Sequence, residues 1–142
     1  MSKFAHFEAK GPATLDRARY AQGIDAVAAL IVAVLLFPFP TVRASVALPV
    51  FVASIIVTIL VIYLLYLTLF LSVWGRTPGM YLMDLGIDPR PVGVVASIKW
   101  SLAMLAGFVP GFFSSAILDP ATGWAARFSR LETVSTSTPR QS

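Results

Sequence analysis

The sequence predicts an all-α integral membrane protein: three hydrophobic helices, the third kinked or re-entrant, plus a short interfacial segment. Three observations carry that prediction. The chain of 142 residues is 57% hydrophobic and only 13% charged, whereas soluble domains are about half apolar and a quarter charged. From residue 44 to residue 75 there is no Asp, Glu, Lys, Arg or His, and a helix of about 20 apolar residues suffices to cross a bilayer. The apolar residues also fall into three long stretches divided by Pro, Gly and charge.

Residues 1–15 mix charges with Gly11 and Pro12 and read as a polar tail. Thr14 and Asp16 are both able to cap the first turn of a helix. The first apolar segment covers 20–39 and ends at Pro38 and Pro40, because proline lacks a backbone donor and restricts the residue before it. It lies behind a polar stretch with no cleavage pattern of the secretory type, so the reading keeps it in the protein.

The second segment runs from Pro49, which is tolerated in a first turn, to Trp74. At about 1.5 Å per residue it is roughly 39 Å long against a hydrocarbon core of roughly 30 Å. It therefore tilts or projects into the headgroups, with Trp74 marking an interface. Residues 80–87 are too few to span and are expected to lie along the interface.

The third stretch, 92–118, carries Lys99 near one end and Pro110-Gly111 inside. Its length favours a crossing with a kink. The positive-inside rule weighs the other way. With a crossing, Lys3, Lys10, Arg17, Arg19, Arg76, Arg90 and Lys99 oppose Arg43, Arg127, Arg130 and Arg140, seven against four. With a re-entrant path the balance is ten against one. Either count puts the N-terminus in the cytoplasm; the crossing is taken as the expectation. The Ser- and Thr-rich end, 133–142, reads as a disordered tail after a membrane domain at 16–132.

Composition excludes much chemistry. There is no cysteine and one histidine, His6 in the polar tail, so disulfides, thiolate chemistry and ordinary metal ligation are not expected. No nucleophile with a base and orienter, no phosphate loop and no metal spacing occurs. No catalytic, cofactor or metal residues are assigned. The net charge of +4 fits cytoplasmic flanks of membrane helices, and nothing interleaves aromatic and basic residues as a nucleic-acid surface would.

Two stripes and one aromatic row stand out. Arg17, Ala21, Asp25, Ala29 and Ala33 recur every four residues and align along one helix face. Asp25 lies inside an apolar run, where an ionisable group needs a partner or water. It is read as a salt-bridged or hydrogen-bonded anchor, with Arg17, Arg19, Lys99 and Arg76 as candidate partners, or else as a protonatable site on a transport path. The alanines allow a second backbone close approach. Ala103, Gly107, Gly111 and Ser115 form a matching stripe in the third stretch, and the two faces are expected to pack together. Tyr63, Tyr66 and Phe70 lie on one face of the second segment and, with Trp74, are expected to contact helices, lipid or a partner subunit.

These motifs resemble those of the RDD family of small bacterial membrane proteins. The opening Arg17-Ala18-Arg19-Tyr20-Ala21-Gln22-Gly23-Ile24-Asp25 is similar to the family's first-helix signature, with Arg17, Ala21 and Asp25 in register. Trp74-Gly75-Arg76-Thr77-Pro78-Gly79, followed by Leu82 and Leu85-Gly86-Ile87, resembles its Thr-Pro-Gly-Lys-Arg segment after the second helix. Gly123-Trp124 and Arg127-Phe128-Ser129-Arg130 resemble its closing Trp-His-Asp-Arg-Leu-Ser-Arg motif. The resemblance covers residues 13–134. Met80 and Tyr81 stand where the family has Lys and Arg, and Ala125 and Ala126 where it has His and Asp. One family aspartate is thus missing, with Asp84, Asp88 and Asp119 as stand-ins.

The resemblance implies a multi-pass protein of the bacterial inner membrane; transport and sodium–proton antiport have been proposed for some members. The lost polar residues and charge-free helix centres argue against ion coupling in this chain. The expected role is a non-catalytic accessory or packing subunit, partnered by lipid and by other membrane subunits or its own copies. The alternative is an oligomeric transporter of a small ion or solute that uses Asp25.

Overall fold

The computed structural model describes residues 11–37, 46–88, 91–106, 119 and 123–136. Along the chain run β1 (Gly11–Pro12), α1 (Leu15–Leu36), α2 (Leu48–Trp74), a short α3 (Pro78–Leu82), β2 (Leu85–Asp88), α4 (Val94–Ala106), α5 (Trp124–Ser129) and β3 (Glu132–Ser135).

Local chemistry explains the helix ends. Thr14 caps α1 by accepting a hydrogen bond from the Arg17 N–H at 3.4 Å, and Asp16 places negative charge in the first turn, where the helix dipole favours it. Phe37 leaves the helix in an extended conformation (φ −75°, ψ 126°), as a residue before proline tends to do. Pro49 sits in the first turn of α2. That helix stops at Gly75, whose φ of 69° places it in the left-handed region while its N–H donates to the Leu71 carbonyl at 2.9 Å.

Two helices, α1 and α2, are long and apolar enough to cross a membrane. Neither is mostly buried, as a core helix of a soluble protein would be: in their most apolar 18-residue windows only 28% of α1 and 11% of α2 is buried. Two hydroxyls in the first half of α2 are satisfied within its own backbone. Ser54 donates to the Val50 carbonyl and Thr58 to the Ser54 carbonyl, each at 2.8 Å, so neither needs water.

The structure corrects the all-α expectation, because it contains a three-stranded antiparallel sheet in the order β1-β3-β2. Gly11 pairs with Ser135 and Pro12 with Val134, while Leu85 to Asp88 pair with Ser135 to Glu132. Both expected tails therefore contribute strands, at 11–12 and 132–135. Residues 80–87 fold as the end of α3 and most of β2, with Tyr81 and Leu82 exposed. Met80, Leu85 and Ile87 are buried in the core, and the Ile87 N–H donates to the Gly75 carbonyl at 3.0 Å. Pairing with β3 satisfies backbone groups that an isolated segment would have exposed to lipid.

Of the third apolar stretch, α4 covers Val94–Ala106, 13 residues, or roughly 20 Å at about 1.5 Å per residue, too short to cross alone. Residues 107–118 lie outside those described. The core gathers at the sheet end: α1 packs on α2 and α3, α4 on α2 and α5, and α3 on β2.

Candidate functional site

The site forms where the buried face of α1 meets the turn after α2. Ala21, Gln22, Asp25, Ala29 and Ala33 are the buried residues of α1. Period-four spacing puts the four members other than Gln22 on one stripe, and the small alanines let neighbouring backbone come close. Arg17, at the head of the stripe, is exposed.

Asp25 is 1% exposed and its carboxylate accepts three hydrogen bonds. Oδ1 takes the Gly79 N–H at 2.8 Å and the Tyr66 hydroxyl at 3.0 Å, and Oδ2 takes the Thr77 hydroxyl. The donors come from α2 and from the first turn of α3, so one side chain ties three helices together. This overturns the expected cationic partner. No ion pair joins Asp25 to Arg17, Arg19, Arg76 or Lys99 among the described residues, where Arg19 instead approaches Asp16 at 3.9 Å. For Arg17 the reason is reach, since it lies two turns along α1, roughly 12 Å away at about 1.5 Å per residue.

Each residue of Thr77-Pro78-Gly79 has a separate task. Thr77 is the N-cap of α3: its Oγ1 accepts from the Met80 N–H at 3.2 Å while its hydroxyl proton goes to Asp25. Pro78 occupies the first turn, where a missing donor costs nothing. Gly79 makes the closest approach. A Cβ there would lie 2.2 Å from the Ala21 carbonyl oxygen and 2.8 Å from the Asp25 carboxyl, so a side chain would push α1 and α3 apart.

The second stripe is divided. Ala103 is fully buried, but Gly107, Gly111 and Ser115 lie outside the described residues. The expected face-to-face match with α1 is not the main contact of α4, which packs on α2, where Thr68 donates to Ser101 Oγ at 3.2 Å, and on α5. The larger Trp100 and Met104 bring α4 toward α1 and, with Ala18, Ala21, Gln22 and Asp25, line a cavity of about 10 Å³. That is room for about one water.

The aromatic row also splits in two. Tyr63 joins Leu67 and Leu71 as the buried residues of α2. Tyr66, Phe70 and Trp74 form a ladder on a neighbouring row, with ring centroids 4.7 and 4.8 Å apart. Phe70 and Trp74 line a groove of about 460 Å³ with Arg76, Thr77, Pro78, Tyr81 and Leu82.

The sequence reading missed Thr77, Gly79, Gln22 and the buried serines Ser97 and Ser101 as site and core residues. Thr-Pro-Gly was a legible helix start, but nothing local said which carboxylate it would meet. Chemically, the arrangement is a carboxylate anchored by three neutral donors. Among the described residues no cluster of His, Cys, Asp or Glu could hold a metal ion, and the three acidic stand-ins are dispersed: Asp84 and Asp88 are exposed and Asp119 is half-buried. No protein-family model, no curated protein and no solved structure matches this chain.

Proposed function

We propose that this chain is a multi-pass protein of the bacterial inner membrane, N-terminus cytoplasmic, that acts as a non-catalytic packing subunit of a larger membrane complex. The observation that carries the reading is the half of α2 remote from the sheet. Between residues 48 and 62 no side chain is buried, and Leu48, Val50, Ile56 and Val57 are each more than half exposed. Lipid or another subunit must cover that surface, since water would not tolerate it.

Orientation finds support in the sheet. β1 directly precedes α1 and β2 follows α2, so two crossings by these helices return the chain to its starting side, and β3 between them keeps residues 132–135 there too. A single crossing by 92–118 conflicts with that pairing. The re-entrant count then applies, with Arg43 as the one basic residue opposite ten.

The RDD-like reading gains support from the meeting of two of its motifs, since Ala21 and Asp25 of the first touch Gly79 of the second. Three of the four departures are interior: Met80, Ala125 and Ala126 are buried while Tyr81 is exposed, so apolar side chains occupy interior positions where the family carries ionisable ones.

Gentle solubilisation followed by native mass measurement tests the subunit role. A particle heavier than the 15.3 kDa chain is expected, and a monodisperse lone monomer overturns the role. Stability without aggregation in plain, lipid-free buffer would overturn the membrane reading itself.

The second reading, a small-ion or small-solute transporter, is favoured by one observation: Asp25 is a carboxylate buried within an apolar helix. Three neutral donors from two other helices already hold it in place, which is why the anchor comes first. Flux in proteoliposomes that disappears in Asp25→Asn while the fold is retained would reverse that order.

A further inference from the structure

The short helix α5 is built inside out. Its small residues, Ala125, Ala126 and Ser129, are buried, while its two large aromatics, Trp124 and Phe128, are 43% and 42% exposed. Water favours the reverse arrangement, since an aromatic ring carries far more apolar surface than an alanine. The two rings stack, with centroids 5.2 Å apart and planes 15° from parallel, so they present one flat aromatic face. The helix is held in this orientation. The Ser129 hydroxyl donates to the Ala125 carbonyl at 2.6 Å and accepts from the Leu131 N–H at 3.3 Å, and the left-handed Arg130 (φ 59°) leads the chain into the paired strand β3.

Cations border that face. The Lys99 ammonium of α4 lies 5.8 Å from the centroid of the Phe128 ring, and Arg127 and Arg130 are exposed on α5 and at its end. Among the described residues none of these three cations is in an ion pair; the nearest acidic residue in sequence, Glu132, is exposed beyond Arg130. Lys99 itself stands in an exposed apolar row of α4 with Val95, Ile98 and Leu102, three or four residues apart and hence on one helix side. A lysine in such a row carries its ammonium to the headgroup layer, which sets the level of the Phe128 ring beside it.

We propose that this face docks on anionic phospholipid headgroups of the cytoplasmic leaflet, with the Trp124–Phe128 stack among the upper acyl chains and Lys99, Arg127 and Arg130 at the phosphates. The proposal rests on the membrane reading above, which keeps β3, and with it the end of α5, on the cytoplasmic side. Charge complementarity selects the occupant, because three cations meet the leaflet in which anionic lipids are concentrated. Stacked aromatics beside basic residues are also the composition of an interfacial segment. An acidic soluble protein or a nucleic acid would satisfy the cations too, but it would leave the adjoining Val95, Ile98 and Leu102 row in water.

The chain has no cysteine, so a single introduced one can carry a bimane fluorophore whose quenching by brominated lipid reports which lipids touch it. The full chain is reconstituted in phosphatidylcholine vesicles that hold the same fraction of either brominated phosphatidylglycerol or brominated phosphatidylcholine. The label is placed at Trp124→Cys or Phe128→Cys, so that one ring remains in each, and at Ile56→Cys on the remote half of α2. At 124 and 128 both lipids should quench, with phosphatidylglycerol enriched about five-fold, the size of one basic residue's attraction to an anionic surface. At 56 both should quench equally. Combining Lys99→Gln with Arg127→Gln, at two exposed side chains, should remove the enrichment while quenching by both lipids persists.

Equal quenching by the two lipids at 124 and 128, or an enrichment that survives the double substitution, overturns the proposal. So does quenching at 56 without quenching at 124 and 128, the pattern of a face turned to water or to a soluble acidic partner. Each of those outcomes leaves the membrane reading standing. That reading fails instead if brominated lipid quenches none of the three positions.

Discussion

The two halves of α2 carry similar sequences and meet different surroundings. Toward the sheet, Tyr63, Leu67 and Leu71 are buried every four residues against α1 and α4, and Thr68 and Tyr66 make hydrogen bonds to other helices. In the remote half nothing is buried, and the hydroxyls of Ser54 and Thr58 turn back to their own helix. Both halves are apolar, so hydrophobicity does not separate them. What separates them is whether polar groups have partners outside the helix, which is what can hold helices together where lipid is as apolar as leucine. Among the described residues, packing and inter-helix hydrogen bonds gather at the sheet end.

That contrast can be broken most severely at Gly79. Leu in place of Gly79 drives a side chain into the Ala21 carbonyl and the Asp25 carboxyl. The expected cost exceeds about 3 kcal/mol, beyond ordinary overpacking because backbone rather than a flexible side chain must move. Thermal unfolding in detergent should show no folded population, and a native-like transition would mean that α1 and α3 are not locked here.

Next comes Asp25→Ala, which strands the Thr77 hydroxyl, the Gly79 N–H and the Tyr66 hydroxyl together. With each stranded buried donor worth roughly 1–3 kcal/mol, a loss of about 3 kcal/mol is expected in the same assay. Asp25→Asn, which keeps an acceptor, should recover part of it. Equal losses in the two variants would show that charge, not hydrogen bonding, holds the anchor.

Tyr66→Phe removes one donor from a half-buried position and should cost about 1 kcal/mol, read as a small lowering of Tm. The smallest effect sharpens the contrast from the open side. Ile56→Ala, at a side chain 52% exposed, should change the stability of the isolated chain by no more than about 0.5 kcal/mol. The same variant should lower the yield of the larger assembly if a subunit covers that face; an unchanged assembly points to lipid there instead.

How much of this was legible beforehand follows the range of the interactions. The first two segments, Thr14 as a cap, the stop at Pro38 and the stripe through Ala21, Asp25, Ala29 and Ala33 all depend on residues within a few turns of each other, and spacing alone exposes them. Asp25 was recognisable as needing a partner. Which partner was not, because Tyr66, Thr77 and Gly79 lie 41, 52 and 54 residues away and none of them is charged. Charge is conspicuous in an apolar sequence, so arginine and lysine stand out as partners, whereas a hydroxyl and a backbone N–H leave no mark. The sheet was hidden for a similar reason. Gly11–Pro12 and Glu132–Ser135 are two and four residues long, too short for an alternating pattern; the first is a strand because β3 lies beside it, and the second because β2, far earlier in the chain, pairs along its whole length.

By itself, then, the sequence determined the apolar helices, where they begin and stop, and which face of α1 is built for close contact, since these follow from hydropathy, capping and helical period. Only the tertiary structure decided that three neutral donors receive the carboxylate, that α3 and β2 fold inward, and that the two ends of the chain share one sheet. Those outcomes depend on hydrogen bonds between residues far apart in the chain, whose geometry exists only once the helices have met.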